Sequence, residues 1–280
     1  ETNTGTDDAR IVTPLKLATY ARWSDILPRS YIAGLTLSNN GSDATNDIDI
    51  AVGEAKDSTN AQDIILASAL TKRLDAAWAV GTNQGGLDTG AIANTTYHVW
   101  LIKRSDTGVV DALFSTSATS PTMPANYDYK RRIGSILRVS AAIVLFTQIG
   151  DEFLRKASIL DVNAANPGTS AVNRALSVPL GIAVWAIINA QCTDAASGVS
   201  AVLLLSEIDR TNEAASYTAA PLGNVGRSAN VSGSAGINNT RMVIRTDTSG
   251  QIRSRVDASD ANVTVLIATT GWIDRRGRDD

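Results

Sequence analysis

The chain has little of what most site chemistry is built from. Its 280 residues include one cysteine, Cys192, and one histidine, His98. A single cysteine excludes an intramolecular disulfide framework and a cysteine-based zinc cluster. A single histidine excludes a multi-histidine metal site within one chain, and gathering copies of His98 on an oligomer axis is the less favoured arrangement. Neither a metal nor a cofactor is expected. No apolar run approaches the ~20 residues needed to cross a bilayer as a helix, so membrane insertion is not expected. Positive charge does not dominate: the net charge is -3 and the pI about 5.3, which argues against an electrostatic grip on nucleic acid or an anionic membrane. The sequence opens at Glu1 with neither a methionine nor a signal-peptide pattern, so a preceding segment, lost by truncation or processing, is expected.

What is present points to a folded β-protein. Hydrophobic residues are 44% and charged residues 19%, a globular balance, while aromatics are only 5%. Ala, Ser, Thr, Asn and Gly are plentiful, a mix that suits strands with small side chains and long loops. The length allows one large domain or two smaller ones with a sizeable core.

The most organised stretch is Leu70–Lys103, LTKRLDAAWAVGTNQGGLDTGAIANTTYHVWLIK. An apolar patch runs into a glycine-rich polar segment, and a clean alternation follows. Tyr97, Val99 and Leu101 fall on one side of it, His98, Trp100 and Ile102 on the other. It reads as two strands held by a long shaped loop containing Gly81, Gly85, Gly86 and Gly90.

Ahead of it, residues 1–8 read as a polar connector. Thr13-Pro14 then reads as a cap and first turn of a short helix that ends before Pro28. From Tyr31 the texture is β: Tyr31–Leu37, Asp47–Val52 and Asp63–Leu70 read as strands. Val109–Ser115 pairs back on the alternating run through the turn Ser105–Gly108. Pro121 and Pro124 keep 115–126 out of a central strand. Ile133–Val139 and Ala142–Gln148 form a second hairpin about Ser140-Ala141. Beyond a charged break at 150–156, strands are expected at 157–162, 171–178, 182–190, 200–208, 241–246, 251–256 and 262–269. Between them, Thr211–Asn239 reads as an exposed loop system. There is no exact internal repeat. The expected architecture is all-β: a connector with a short helix over 1–30, a first antiparallel sandwich over 31–155, and a second, jelly-roll-like sandwich over 156–280.

Two parts of the sequence resemble known segments. Residues 4–23, TGTDDARIVTPLKLATYARW, match the pattern T-D-x-x-R-x-V-T-P-x-K-L at Thr6, Asp7, Arg10, Val12, Thr13, Pro14, Lys16 and Leu17. That pattern resembles a segment of tail fibre proteins of tailed bacteriophages. Residues 35–153 resemble a domain of phage tail or receptor-binding proteins, through 46–59, 70–90, 95–102 and 126–136. The second half, ending in GWIDRRGR, carries a weaker resemblance. The resemblance implies a virion protein: a homotrimeric tail fibre or receptor-binding protein that docks on other virion proteins through its N-terminal segment and meets a host glycan or protein receptor distally. It supplies no catalytic residues.

Each candidate constellation has a plain alternative. Asp47, Asp49, Glu54, Asp57 and Asp63 form an acidic cluster, but its spacing does not fit a calcium-binding EF-hand loop, and a charged strand edge is the preferred reading. His98 lies inside a strand and no Gly-x-Ser-x-Gly elbow occurs, so a hydrolytic triad is rejected. GTNQGGLDTG lacks the Gly-Lys-Ser/Thr ending of a phosphate loop and reads as a turn. Some tail proteins cleave polysaccharide with paired carboxylates, but the acidic residues here are scattered and no solenoid repeat is visible. Lys130-Arg131-Arg132 and Arg275-Arg276-Arg278 read as solvated turns or inter-subunit salt bridges in preference to polyanion sites, and Arg73 pairs with Asp75 in the same way. Trp100 and Trp185 are read as core. Trp23 and Trp78 are the candidates for a subunit interface, and the loop 211–239 is the favoured receptor-contacting surface. Cys192 reads as a buried free thiol. Asn40, Asn94, Asn230, Asn239 and Asn262 begin or nearly begin glycosylation-like tripeptides that mark turns. The classes left open are an attachment protein, a non-adhesive head fibre, capsid decoration or tail connector, and a polysaccharide-degrading spike.

Overall fold

The computed structural model describes residues 28–195, 201–225 and 236–278. The connector helix and Trp23 lie outside the described residues. Within them the protein is all-β, with nineteen strands in four sheets and no helix.

The first half is built on an eight-stranded sheet. In chain order its strands are β2 (Leu37–Asn39), β3 (Asp47–Ile50), β6 (Leu70–Ala77), β7 (Gln84–Leu87), β8 (Thr96–Arg104), β9 (Val110–Ser115), β10 (Tyr127–Val139) and β11 (Ala142–Ile143). Their spatial order is β11-β10-β8-β9-β7-β6-β3-β2. A three-stranded sheet, β1 (Ile32–Gly34), β4 (Gly53–Lys56) and β5 (Asp63–Leu66), accompanies it in the order β1-β4-β5. The second half has a five-stranded sheet of β12 (Phe146–Ile149), β13 (Glu152–Ala165), β19 (Val263–Ile273), β15 (Trp185–Asp194) and β17 (Gly236–Arg245), in that spatial order. A three-stranded sheet, β14 (Val172–Ala175), β18 (Gln251–Val256) and β16 (Leu203–Ser206), completes it. Strict alternation explains the sandwich in the second half: β18 and most of β19 bury every second residue, so one face of their sheets joins the core. In the eight-stranded sheet β8 is buried on both faces, with Trp100 and Ile102 packed against Leu113 and Tyr127 in a second, smaller cluster. A β-sandwich, jelly-roll-like fold results.

Both expected hairpins form. β8 and β9 pair from His98↔Ser115 to Lys103↔Val110 around the 105–108 turn. β10 and β11 turn through Ser140 (φ 50°) and Ala141 (φ 64°), both left-handed, as a two-residue hairpin requires. The second hairpin is shorter than 142–148. The chain leaves β11 at Ile143 and re-enters as β12 in the five-stranded sheet. That crossover makes the two halves share one continuous core, from Ile32 through Ile136, Phe153 and Cys192 to Ile267. Position 155/156, where a division was expected, falls inside β13. Phe153 of β13 stacks on Trp272 of β19 with ring centroids 5.6 Å apart and planes 5° apart, and Phe146 packs against Phe153 at 5.7 Å with its ring tilted by 44°.

The glycine-rich segment is not a loop throughout. Gln84–Leu87 is β7, and it runs parallel to both neighbours, β6 and β9. Every other named pair in the sheets is antiparallel. Two glycines make the insertion sterically feasible. A Cβ on Gly85 would lie 1.9 Å from the Ala77 carbonyl oxygen, and one on Gly86 would lie 2.8 Å from the Phe114 ring. The alternation rule misses this strand because it is only four residues long, two of them glycine, with Leu87 as its single apolar side chain.

Candidate functional site

Two clusters of buried charge tie separate elements of the fold together. The first fastens β6 and β9 together across β7. Lys72 is fully buried, lies 3.2 Å from Asp111, and donates to the carbonyls of Ala79 (2.7 Å) and Gly81 (3.2 Å). Asp111 accepts from the Gly81 and Ala112 amides, each at 2.7 Å. Burial lowers the Lys72 pKa, and the Asp111 charge and hydrogen bond oppose that shift. Trp78, the interface candidate of the described part, stands over this pair. Its indole N–H donates to the Ala112 carbonyl at 3.1 Å, its ring meets Tyr127 edge-on at 5.2 Å, and Lys72 Nζ lies 5.6 Å from its centroid. These contacts give Trp78 a role inside the chain.

The second concentration lies where the two halves meet. Arg132 of β10 donates to both carboxylate oxygens of Asp274, at 2.8 and 2.7 Å. Ser135 donates to the same carboxylate at 3.0 Å, and the Arg276 amide does so at 2.8 Å. His98 Nδ1 is 2.9 Å from Ser135 Oγ. The order is histidine–serine–aspartate, with serine in the middle. A hydrolytic relay needs the histidine between the other two. Burial, then the Arg132 charge, pushes the His98 pKa down to about 4, against weaker opposition from Asp274 and a backbone contact at Leu180. For Asp274 burial acts upward, but Arg132 and the hydrogen bonds outweigh it, so its carboxyl titrates below the usual range. Arg276 reaches across to the first half, donating to the carbonyls of Ile133, Gly34 and Leu35 at 2.8–2.9 Å. Arg278 pairs with Asp151.

These contacts correct the reading of the basic runs. Arg131, Arg132 and Arg276 are buried inside the chain and are not solvated turns. Sequence spacing holds no signal for this, because the partners lie more than a hundred residues away. Arg73 does pair with Asp75, at 3.3 Å on the surface. The acidic cluster is dispersed. Asp49 accepts from Asn40 and Thr71, Asp57 caps the 57–62 turn, and Asp63 pairs with Lys56 at 2.6 Å across β4 and β5. Among the described residues no group of three or more potential ligands is placed to hold a metal ion. Cys192 is buried and free of a disulfide.

A cleft of about 270 Å³ opens above the Arg132–Asp274 pair. One wall is the loop after β9, at Ala118 and Thr119; the other is the start of β15 and the chain after β19, with Trp185, Arg275 and Gly277. Gly181 narrows its base. Its φ of +86° is a left-handed value, and a Cβ there would lie 3.3 Å from His98 Nε2. A second depression of about 260 Å³ adjoins the first and shares Ala183, Arg245 and Thr248 with it. Trp185 is therefore not core, as its strand context suggested. It is half-buried, and register places it between Arg245 and Ile273 on the sheet face turned away from Ala186, Ile244 and Trp272.

The loop 211–239 is described only in part. Residues 211–225 are irregular with exposed Tyr217 and Leu222, while 236–239 belong to β17, which starts five residues before the expected Arg241.

Neither a protein-family model nor a curated protein matches the chain. Among solved structures, a chain in the structure of the infectious bursal disease virus Gx strain superposes with a TM-score of 0.24 at 10% identity, over 89% of this chain and 72% of that one. A score that low carries no argument about function.

Proposed function

We propose that the chain is a virion component of a tailed bacteriophage, a homotrimeric tail-fibre or receptor-binding protein that attaches the particle to the host cell surface. The observation that carries this reading is the open cleft at Trp185, set above the buried Arg132–Asp274 pair and close to Arg276, which fasten the two halves. A half-buried aromatic at the wall of an open cleft on a rigid β-scaffold is a recognition surface. The resemblance of residues 4–23 and 35–153 to tail-fibre segments supports the same reading. Three copies per fibre and several fibres per particle multiply a weak single-site affinity by about 10²–10⁴.

Binding of the intact protein to whole cells tests the proposal. Saturable adsorption to a host that the particle infects is expected. Failure to bind any susceptible host would leave a non-adhesive head fibre, decoration or connector. Release of reducing sugar ends from host polysaccharide would instead establish a degrading spike.

A further inference from the structure

The five-stranded sheet turns one face to the core, and its other face has the composition of a contact surface. Register places Leu160 and Asn189 on either side of Ala268, and Asn163 and Gln191 on either side of Leu266. On the next strand Val243 lies beside Ile187 and Asn239 beside Gln191. Leu160 and Val243 are 53% and 51% exposed, and an open depression of about 340 Å³ lies between Leu160, Leu266 and the carboxamides of Asn189, Gln191 and Asn239. A sheet face that meets only water is normally polar and charged. The centre of this one carries no charged side chain. Charges stand at its borders, where Arg241 on β17 and Glu152 on β13 form no ion pair among the described residues. Loss of charge at the middle of a patch, with apolar side chains inside a charged rim, marks a protein interface.

We propose that this face packs against a second copy of the chain. The proposal names the contact surface for the homotrimer of the attachment reading and rests on that part of it. Three observations select a copy of the chain as the occupant. Each carboxamide carries both a donor and an acceptor, so identical faces satisfy one another. An uncharged centre lets identical faces meet without like-charge repulsion, and copies set side by side bring the Arg241 border of one towards the Glu152 border of the next. The extent is also adequate. Four strands about 4.8 Å apart, paired over ten residues of about 3.3 Å each, span roughly 600 Å² in projection, the lower end of what each partner buries in a stable interface. Trp185 stands at the end of the face nearest the first half, so the cleft lies at the rim of the contact.

Sedimentation of the intact protein at micromolar concentration tests the proposal. Leu160→Asp and Val243→Asp set a charge in the middle of the contact, and Val80→Asp, at a site 58% exposed outside the sheets, is the comparator. The wild type and Val80→Asp are expected to stay oligomeric, and each face variant to raise the dissociation constant at least about a hundredfold. More than half of Leu160 and of Val243 is exposed, so both variants keep the core, and unchanged far-UV circular dichroism checks it. Asn189→Asp, isosteric on the same exposed face, is expected to weaken association about tenfold without disturbing the strand. Face variants as oligomeric as Val80→Asp would overturn this contact and leave the homotrimer standing. A monomeric wild type would overturn both, and leave the face to another virion protein. Cell adsorption separates the levels: an oligomer that the face variants dissociate but that adsorbs to no host sinks the attachment reading and keeps the contact.

Discussion

At the scale of single residues, His98 shows how much of this chain's polar chemistry is spent on structure. The folded protein holds His98 neutral down to about pH 4, while the unfolded chain takes up a proton near the ordinary histidine value of about 6.5. Between those values the unfolded state binds more protons, so stability falls as pH falls through that window. The loss approaches ~1.4 kcal/mol per pH unit, about 3 kcal/mol in all. Urea midpoints measured from pH 7 to pH 4.5 should show it. His98→Asn, which cannot titrate, should remove the part above pH 5, where few carboxylates contribute. An unchanged slope in that variant would mean that the imidazole is accessible to protons in the folded state. The strand position of His98 and a single hydrogen-bonded ring nitrogen were legible in the alternation of residues 95–102. Ser135 and Asp274 were not, since they come from β10 and from the chain after β19, 37 and 176 residues further on.

At the scale of elements, the inserted strand β7 and the tight hairpin β10–β11 make opposite predictions. Gly85→Ala forces a methyl group against the Ala77 carbonyl, and relieving that overlap by moving backbone should cost about 3 kcal/mol. Gly41→Ala, where a Cβ meets nothing within 4 Å, should change stability by less than about 0.5 kcal/mol. Thermal melts of the two variants check the contrast; equal effects would mean that β7 is not packed between β6 and β9. In the hairpin, Ala141 occupies a left-handed conformation that costs an ordinary residue roughly 1–2 kcal/mol. Ala141→Gly relieves that strain and gives back about half of it through the greater freedom of the unfolded chain. A gain of about 0.5–1 kcal/mol in chemical denaturation is expected. The hairpins themselves could be read from the sequence because a turn and its two strands are local. β7 could not, because its pattern is glycine and its partners are selected by space rather than by side chains. The same limit applies to β12, which reads as the continuation of a hairpin and instead changes sheets.

At the scale of the whole molecule, the all-β sandwich was legible in composition and in the spacing of strand signals, whereas the cleft was not. Trp185, Arg245 and Arg275 are far apart in the chain and meet only because β15 lies between β17 and β19. The continuous core explains how such a surface stays fixed. Arg276 anchors the chain's end to carbonyls in β1 and β10 and just after β1, so the two halves move together. Sedimentation of the intact protein is expected to give three times the 29.4 kDa chain mass, and a monomer at micromolar concentration would refute the trimer. The central claim, that this is an attachment protein, is tested most directly by adsorption of the fluorescently labelled intact protein to cells of a bacterial strain that the particle infects. The account predicts saturable binding that is reduced about tenfold in Trp185→Ala. Absence of adsorption to every susceptible strain, with the protein folded and oligomeric, would contradict it.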